Sequence, residues 1–448
     1  ETRRYDPQVD AIDPVKVLQR LTEVEAFERF IHRIFPGKHR FSIEGLDTMV
    51  PILDEIIGGA AEVGTKHVLF GMAHRGRLNI LTHILGKPYA SILAEFKDPV
   101  TPHKFRDDLG WMGDVKYHLG ARRALQNGRE VGVVLSMPPN PSHLEFINPI
   151  VVGMSRSVGT RADFPGEPSF NPSATIPILI HGDAAFPGQG VVAETFNPSR
   201  LHGYWAGGTI HIIANNQLGY TTEPVDSRST LYASDLAKGF KVPVIHVNAD
   251  DPEACILAAR PAFAFQEEFE RDFVIDLIGY RRNGHNEGDE PGFTQPVLYR
   301  RLEQHPTVRE RYGRTLVQRG VLHEGEPEEM LRRQMELLQG VFEKLDPERD
   351  LIDQRNHGLG DLDGELRARK AAPLLRLGRL AVKDEAQVDV RGIVQLARPQ
   401  LAKGNHAEPE VAARGQGAAP GNLALGELTG HLQGAIGQGT DLGRDGLQ

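Results

Sequence analysis

Cysteine is almost missing from this sequence: Cys255 stands alone in 448 residues. One thiol can form neither an internal disulfide nor a cysteine metal cluster, which fits a reducing compartment and sets a cytoplasmic expectation. Long apolar runs are missing as well. The longest fall far short of the ~18 residues that a bilayer-spanning helix requires, which excludes a helical membrane protein. An excess of basic residues is also absent, since 51 Lys+Arg stand against 60 Asp+Glu and leave a net charge of -9. That charge is spread along the chain and gives no footprint for a phosphate backbone, so nucleic acid is not an expected partner. Aromatic residues are missing from one end. After Phe342 there is no Phe, Tyr or Trp in the remaining 106 residues, where the chain's own 7% would give about seven. From Leu401 onward Gly occurs 11 times in 48 residues, with neither a helical nor a strand period. Such a segment has little from which to build a core, and disorder is expected there. The shift in composition from roughly Leu374 is what a frame error would produce, so that stretch is not expected to be the gene's natural continuation. At the other end ETRRYDPQVD shows no initiator Met, signal core or transit pattern, and the chain is expected to be a piece of something longer.

What is present is globular, with 40% hydrophobic and 25% charged residues. At ~150 residues per domain this length makes about three domains, or one large α/β unit with extensions. The expected division is a helical approach over 1–50, an α/β domain over 51–345 and the aromatic-poor tail over 346–448. Short apolar runs read as strands at 67–71, 131–136, 175–181, 209–214, 243–247 and 273–279. Several are almost continuously apolar, as strands covered on both faces are, which predicts a mainly parallel sheet with helices on each side. Asp13-Pro14 and Asp251-Pro252 each open a helix, with Asp as the cap and Pro in the first turn. Pro261 should kink or split the second of these. Further helices are expected at about 188–201 and 327–345, and a long loop-rich stretch at about 98–175. The fold class is α/β, doubly wound.

The chemistry concentrates at two strand ends. His181-Gly182-Asp183-Ala184 follows the strand TIPILI, and Asn215-Asn216-Gln217-Leu218-Gly219 follows TIHIIA. Carboxylates at the carboxyl ends of parallel strands sit on the ligand-binding face of such sheets. Asp183 and Asn216 are 33 residues apart, about the length of a strand, crossover helix and neighbouring strand, so they should meet at one sheet edge. A carboxylate, an amide oxygen and a turn carbonyl make part of an oxygen shell of the kind Mg²⁺ takes, completed by phosphates and water. A Mg²⁺-dependent phosphate-processing protein would satisfy that pattern as well.

The GD and NN pair resembles the thiamine diphosphate fingerprint, with Ala184 where Gly is usual. By that resemblance Asp183, Asn216 and the carbonyl of Leu218 hold Mg²⁺ on the diphosphate. The blocks GMAHRGRLNIL at 71–81, GDVKYHLG at 113–120, NPSHLE at 140–145, HGDAAFPGQGVVAETFN at 181–197, HVNADDPEA at 246–254 and YRRNGHNEGDEPGFTQP at 280–296 resemble, in order, one family. It is the thiamine-dependent decarboxylating component of the 2-oxoglutarate dehydrogenase complex. The similarity covers about residues 13–345, and the second half of that family's enzymes has no counterpart in the rest of the chain.

The resemblance implies catalytic roles for His74 and His118, which face the substrate. It implies cofactor-binding roles for Arg75, Ser142, Leu144, Asp183, Ala184, Asn216, Leu218 and His285. A dicarboxylate with a keto group also calls for strongly donating side chains, and Arg77 and Lys116 lie in the same blocks. The implied activity is oxidative decarboxylation of 2-oxoglutarate, in the tricarboxylic acid cycle. It transfers the succinyl group to the lipoyl-bearing dihydrolipoyl succinyltransferase component, with thiamine diphosphate and Mg²⁺ as cofactors and a homodimer as the assembly. The glutamate that activates the cofactor would lie outside this chain, so the polypeptide alone is expected to be inactive. One methylene is worth only ~1–3 kcal/mol of discrimination, so 2-oxoadipate stays open as substrate. A non-oxidative 2-oxoglutarate decarboxylase and a silent cofactor-binding fragment stay open as alternatives.

Overall fold

A computed structural model describes residues 11–97, 116–127, 130–163, 165–352 and 359–361. Most of the expected tail, together with residues 113–115 of the GDVKYHLG block, lies outside the described residues.

The sheet strands in chain order are β1 (His67–Met72), β2 (Ala121–Asn127), β3 (Glu130–Met137), β6 (Thr175–Gly182), β7 (Ile210–Asn215), β8 (Val244–Asn248), β9 (Phe273–Ile278) and β10 (Leu359–Asp361). A separate two-residue ladder joins β4 (Thr160–Arg161) to β5 (Ser169–Phe170). The large sheet has the order β10-β2-β3-β1-β6-β7-β9-β8. From β3 to β8 every pairing is parallel, whereas β2 runs antiparallel to β3. This is the expected α/β class with a mainly parallel sheet. All six strands read from the sequence are present, each within a residue or so of its expected ends. They are apolar on both faces because helices cover both faces.

Asp13 caps the helix Pro14–Ile34 by accepting from Val15 N and Lys16 N at 3.1 and 3.2 Å. Asp251 caps Pro252–Phe269 by accepting from Ala254 N at 3.0 Å. Of the two outcomes expected at Pro261, a kink or a split, the split does not occur: the helix runs on from Pro252 to Phe269. Its missing N–H costs a hydrogen bond, but Ala258, Ala259, Ala262 and Phe263 on either side are buried in the main core and hold the helix together. The fit there is close. A Cβ on Gly59 of the helix Met49–Val63 would come within 2.8 Å of the Phe263 ring.

Two further expectations are corrected. The stretch expected as one helix at 188–201 is a short helix Ala185–Gly188, a second Gly190–Phe196 and a 3₁₀ turn Asn197–Arg200, since Pro198 and the glycines interrupt a continuous ladder. The stretch 98–175 is not loop-rich where it is described, because β2, β3 and the helix Ile147–Val158 occupy it. One buried cluster runs from Phe27 and Phe30 through Ile52 and Ile56 to the strand residues Phe70, Ile178 and Ile212. Phe342, the chain's last aromatic, packs its ring against Phe30 and Phe35 with centroids 6.0 and 5.9 Å apart. No helix among the described residues is long and apolar enough to cross a membrane.

Candidate functional site

Parallel pairing sets Gly182 of β6 beside Ala214 of β7, so the two strands end in step. Asp183 and Asn216 therefore emerge side by side at the carboxyl edge of the sheet, both almost fully buried. The turn after β7 is pinned from several directions. Asn215 donates from Nδ2 to Asp276 Oδ1 on β9 at 2.9 Å and accepts from Gln217 N at 3.2 Å. Asn216 Oδ1 accepts from Leu218 N at 3.1 Å. Gln217 takes a left-handed φ of 62° and donates from Nε2 to Gly279 O at 2.8 Å. Ala184 fits this place because of its neighbour across the edge: a Cβ on Gly219 would come within 2.7 Å of the Ala184 Cβ. The methyl group that departs from the usual GDG pattern fills the space that Gly219 leaves open.

Burial drives the Asp183 carboxyl up to about 7. Arg228 pulls against that shift, Asp276 adds to it, and Arg75 also opposes it. A nearby cation holds such a group ionised. Among the described residues no cluster of three His, Cys, Asp or Glu could hold a metal. A metal here would thus rest on one carboxylate, the second lone pair of the Asn216 amide oxygen and a turn carbonyl. That set is all hard oxygen and suits Mg²⁺ with phosphate completing its shell.

The AHRGR turn borders this edge. Arg75 donates to Ser42 O at 3.1 Å and to His285 O at 2.8 Å, which ties the turn to the NGHNEGDEP loop. Burial, with Arg281 nearby, lowers Arg75 to about 10, and Asp183 counts among the charges that oppose the shift. The rings of His74 and His285 meet edge to face at 5.3 Å, and Phe41 lies 4.2 Å from His74. Tyr220, in the loop after β7, packs its ring at a tilt against His285, with centroids 4.6 Å apart. Burial followed by the charges of Arg75, His285 and His118 lowers His74 to about 3, and burial followed by Arg75 and Arg281 lowers His285 to about 4. Both are neutral imidazoles at pH 7, able to donate or accept a hydrogen bond but not to act as fixed cations. His118 Nδ1 lies 3.0 Å from Asn140 O, and Asn140 N donates back to His118 O at 3.1 Å, which joins the KYH and NPSHLE blocks.

The sequence profile described as "Dehydrogenase E1 component" matches residues 44–350. The chain belongs to that family. It is 53% identical over 359 residues to the "2-oxoglutarate dehydrogenase E1 component" of Geobacillus sp. (strain WCH70), an alignment that covers 79% of this chain and 38% of that protein. With the protein of the same name from Bacillus subtilis (strain 168) it shares 52% over 360 residues, covering 78% and 38%. With that of Shouchella clausii (strain KSM-K16) it shares 53% over 324 residues, covering 70% and 34%. The chain thus spans little more than a third of the length of these relatives.

Within this family member the sequence-derived residues form two neighbouring groups. Asp183, Ala184, Asn216 and Leu218 make the sheet edge, while His74, Arg75, His118 and His285 make its wall. Ser142 is exposed and Leu144 half-buried, and their loop reaches the edge through Glu145. That residue has a left-handed φ of 68°, and its Oε2 lies 2.6 Å from His181 Nδ1 on β6. Arg77 has another task. Its guanidinium is fully buried and donates to Leu119 O, Met72 O and Pro138 O at 2.7–3.0 Å, so it holds the turn rather than offering donors to a ligand. Lys116 lies over the Phe96 ring at 4.5 Å.

Sequence reasoning missed Arg228, Asp276 and the buried pair His181–His211, whose ring nitrogens are 2.9 Å apart. The polar interruptions of two apolar strands, His211 in TIHIIA and Asp276 in FVIDLI, were a usable signal, because a buried polar side chain in a core strand needs a partner. Arg228 gave no such signal. A cavity of about 30 Å³ lies at the opposite end of the strands, lined among others by Arg200, Lys241, Arg271 and Asp272. Its volume suits a single water and is far too small for a cofactor.

Proposed function

We propose that this chain forms the thiamine diphosphate- and Mg²⁺-binding part of a 2-oxoglutarate dehydrogenase E1 component. The observation that carries this reading is the pairing of Asp183 and Asn216 at the ends of adjacent parallel strands. It is supported by relatives of that name at above 50% identity. Asp183, Asn216 and the Leu218 carbonyl would hold the metal, with Ala184 against the metal-bound diphosphate. Arg75, His285, Ser142 and Leu144 would line the cofactor. When bound, thiamine diphosphate supplies the carbon nucleophile and electron sink that a 2-oxo acid needs to lose carbon dioxide. His74 and His118 would face the substrate. A neutral His74 can donate to a carboxylate or keto oxygen and can take or return a proton there. Phe41 and Tyr117, packed ring to ring at 4.9 Å beside His74, keep water from that side.

The reaction proposed for the whole enzyme is oxidative decarboxylation of 2-oxoglutarate, with the succinyl group passed to the lipoyl domain of a dihydrolipoyl succinyltransferase. The enzyme is placed in the cytoplasm. Loops leaving the same edge of the sheet expose Val225, Leu231 and Phe293 at 81%, 78% and 88%. Apolar exposure of that kind suits contact with further protein, and a homodimer is the proposed assembly. The test is a kinetic comparison of 2-oxoglutarate with 2-oxoadipate on the full-length protein, with a lipoyl acceptor. Preference for 2-oxoglutarate with succinyl transfer is expected. Turnover without transfer to the acceptor would point to a simple decarboxylase.

A further inference from the structure

Arg228 sits in the loop that follows β7, and its side chain is only 8% exposed. Nε and Nη1 are buried and donate no hydrogen bond. The nearest carboxylate oxygen, Asp183 Oδ2, is 4.0 Å from Nη1, beyond hydrogen-bond range. Buried polar groups are almost always paired, and a guanidinium whose Nε and Nη1 make no hydrogen bond has its desolvation offset only in part by the Asp183 carboxylate 4.0 Å away. The group is therefore held for a partner absent from the polypeptide itself. That partner must accept hydrogen bonds, carry negative charge and lie against Asp183.

The charges select it further. Asp183 feels both Arg228 and Arg75, so one carboxylate already faces two guanidiniums. A divalent cation on Asp183 would leave a strongly positive pocket, which only a multiply charged anion neutralises. A planar fork of N–H donors suits phosphate oxygens, which it can bind in bidentate fashion.

We propose that Arg228 is a ligand of the diphosphate group, donating from Nε and Nη1 to phosphate oxygens on the metal held by Asp183. This rests on the cofactor reading above and adds to it a residue from outside the GD and NN motifs.

The test is calorimetric titration of the intact protein with thiamine diphosphate and, separately, with inorganic pyrophosphate, both with Mg²⁺. The proteins are the wild type, Arg228→Gln, Arg228→Lys and Asp183→Ala. Arg228→Gln is expected to raise the Kd of both probes on the order of ten- to a hundredfold, the loss typical of a hydrogen bond to a charged group. Its melting temperature without ligand should hold or rise. Arg228→Lys, which keeps the charge and loses the fork, should recover part of the affinity. Unchanged affinity in Arg228→Gln, with binding lost in Asp183→Ala, would overturn the role of Arg228 and leave the metal site standing. If wild-type protein binds neither probe, the cofactor reading falls and the proposal falls with it. Should the Gln variant fail to fold, the Lys variant decides: a several-fold loss of pyrophosphate affinity supports the proposal, and wild-type affinity in a folded protein overturns it.

Discussion

Glu145 Oε2 lies 2.6 Å from His181 Nδ1, and His181 stands near the end of β6, two residues before Asp183. The same carboxylate oxygen accepts from Asn148 Nδ2 at 2.8 Å, so one buried side chain holds both the NPSHLE loop and the helix Ile147–Val158. Glu145→Gln keeps the shape but weakens these charge-assisted bonds. Its left-handed backbone then lacks full compensation. A loss of about 1–3 kcal/mol is expected in urea denaturation, and unchanged stability would show that the loop is held by other contacts.

Ala184 and Gly219 form a steric pair. Gly219→Ala places a methyl within 2.7 Å of the Ala184 Cβ and should cost about 1–3 kcal/mol by overpacking. In the double variant Ala184→Gly/Gly219→Ala the cost should largely vanish, giving a coupling that a double-mutant cycle reads directly. Additive losses would contradict the contact.

The neutral histidines make a pH prediction. Both fold with pKa values lowered from 6.5, to about 3 for His74 and about 4 for His285. The unfolded chain therefore takes up protons before the folded one does. Their contribution to stability is complete above pH 6.5 and is lost as pH falls through the window toward 4 and 3. Histidine NMR should show both rings still neutral at pH 5.5. Replacing His74 by Asn should flatten the acid limb of the stability profile. A ring that titrates near 6.5 would contradict the burial argument.

Substituting His74 or His118 should lower turnover of the 2-oxo acid far more than it lowers cofactor affinity, because their assigned contacts are with substrate. Steady-state kinetics at saturating cofactor, beside calorimetry, separates the two effects. Weakened cofactor binding with unchanged kinetic constants would reverse the assigned roles.

The sequence made the parallel core legible because its strands are apolar on both faces, a pattern that periodicity reads well. It hid β2, whose ARRALQN carries two arginines and lies toward the edge of the sheet, antiparallel to β3. It left a split at Pro261 open, since the loss of one hydrogen bond was weighed without the buried contacts on either side that keep the helix continuous. The strand-end pair Asp183 and Asn216 was legible because spacing along the chain translates directly into adjacency in a strand-helix-strand unit. Arg228 was not. Its meaning lies in two empty hydrogen-bond positions facing Asp183, which only the folded arrangement displays.

The central claim is that Asp183 binds the metal that carries the cofactor. Calorimetric titration of thiamine diphosphate with Mg²⁺ into the full-length protein, beside its Asp183→Ala variant, tests it most directly. The account predicts that Asp183→Ala weakens binding at least on the order of a hundredfold, the upper range for a charge-assisted contact, and that Asn216→Ala weakens it less. Wild-type affinity in a folded Asp183→Ala protein would contradict it.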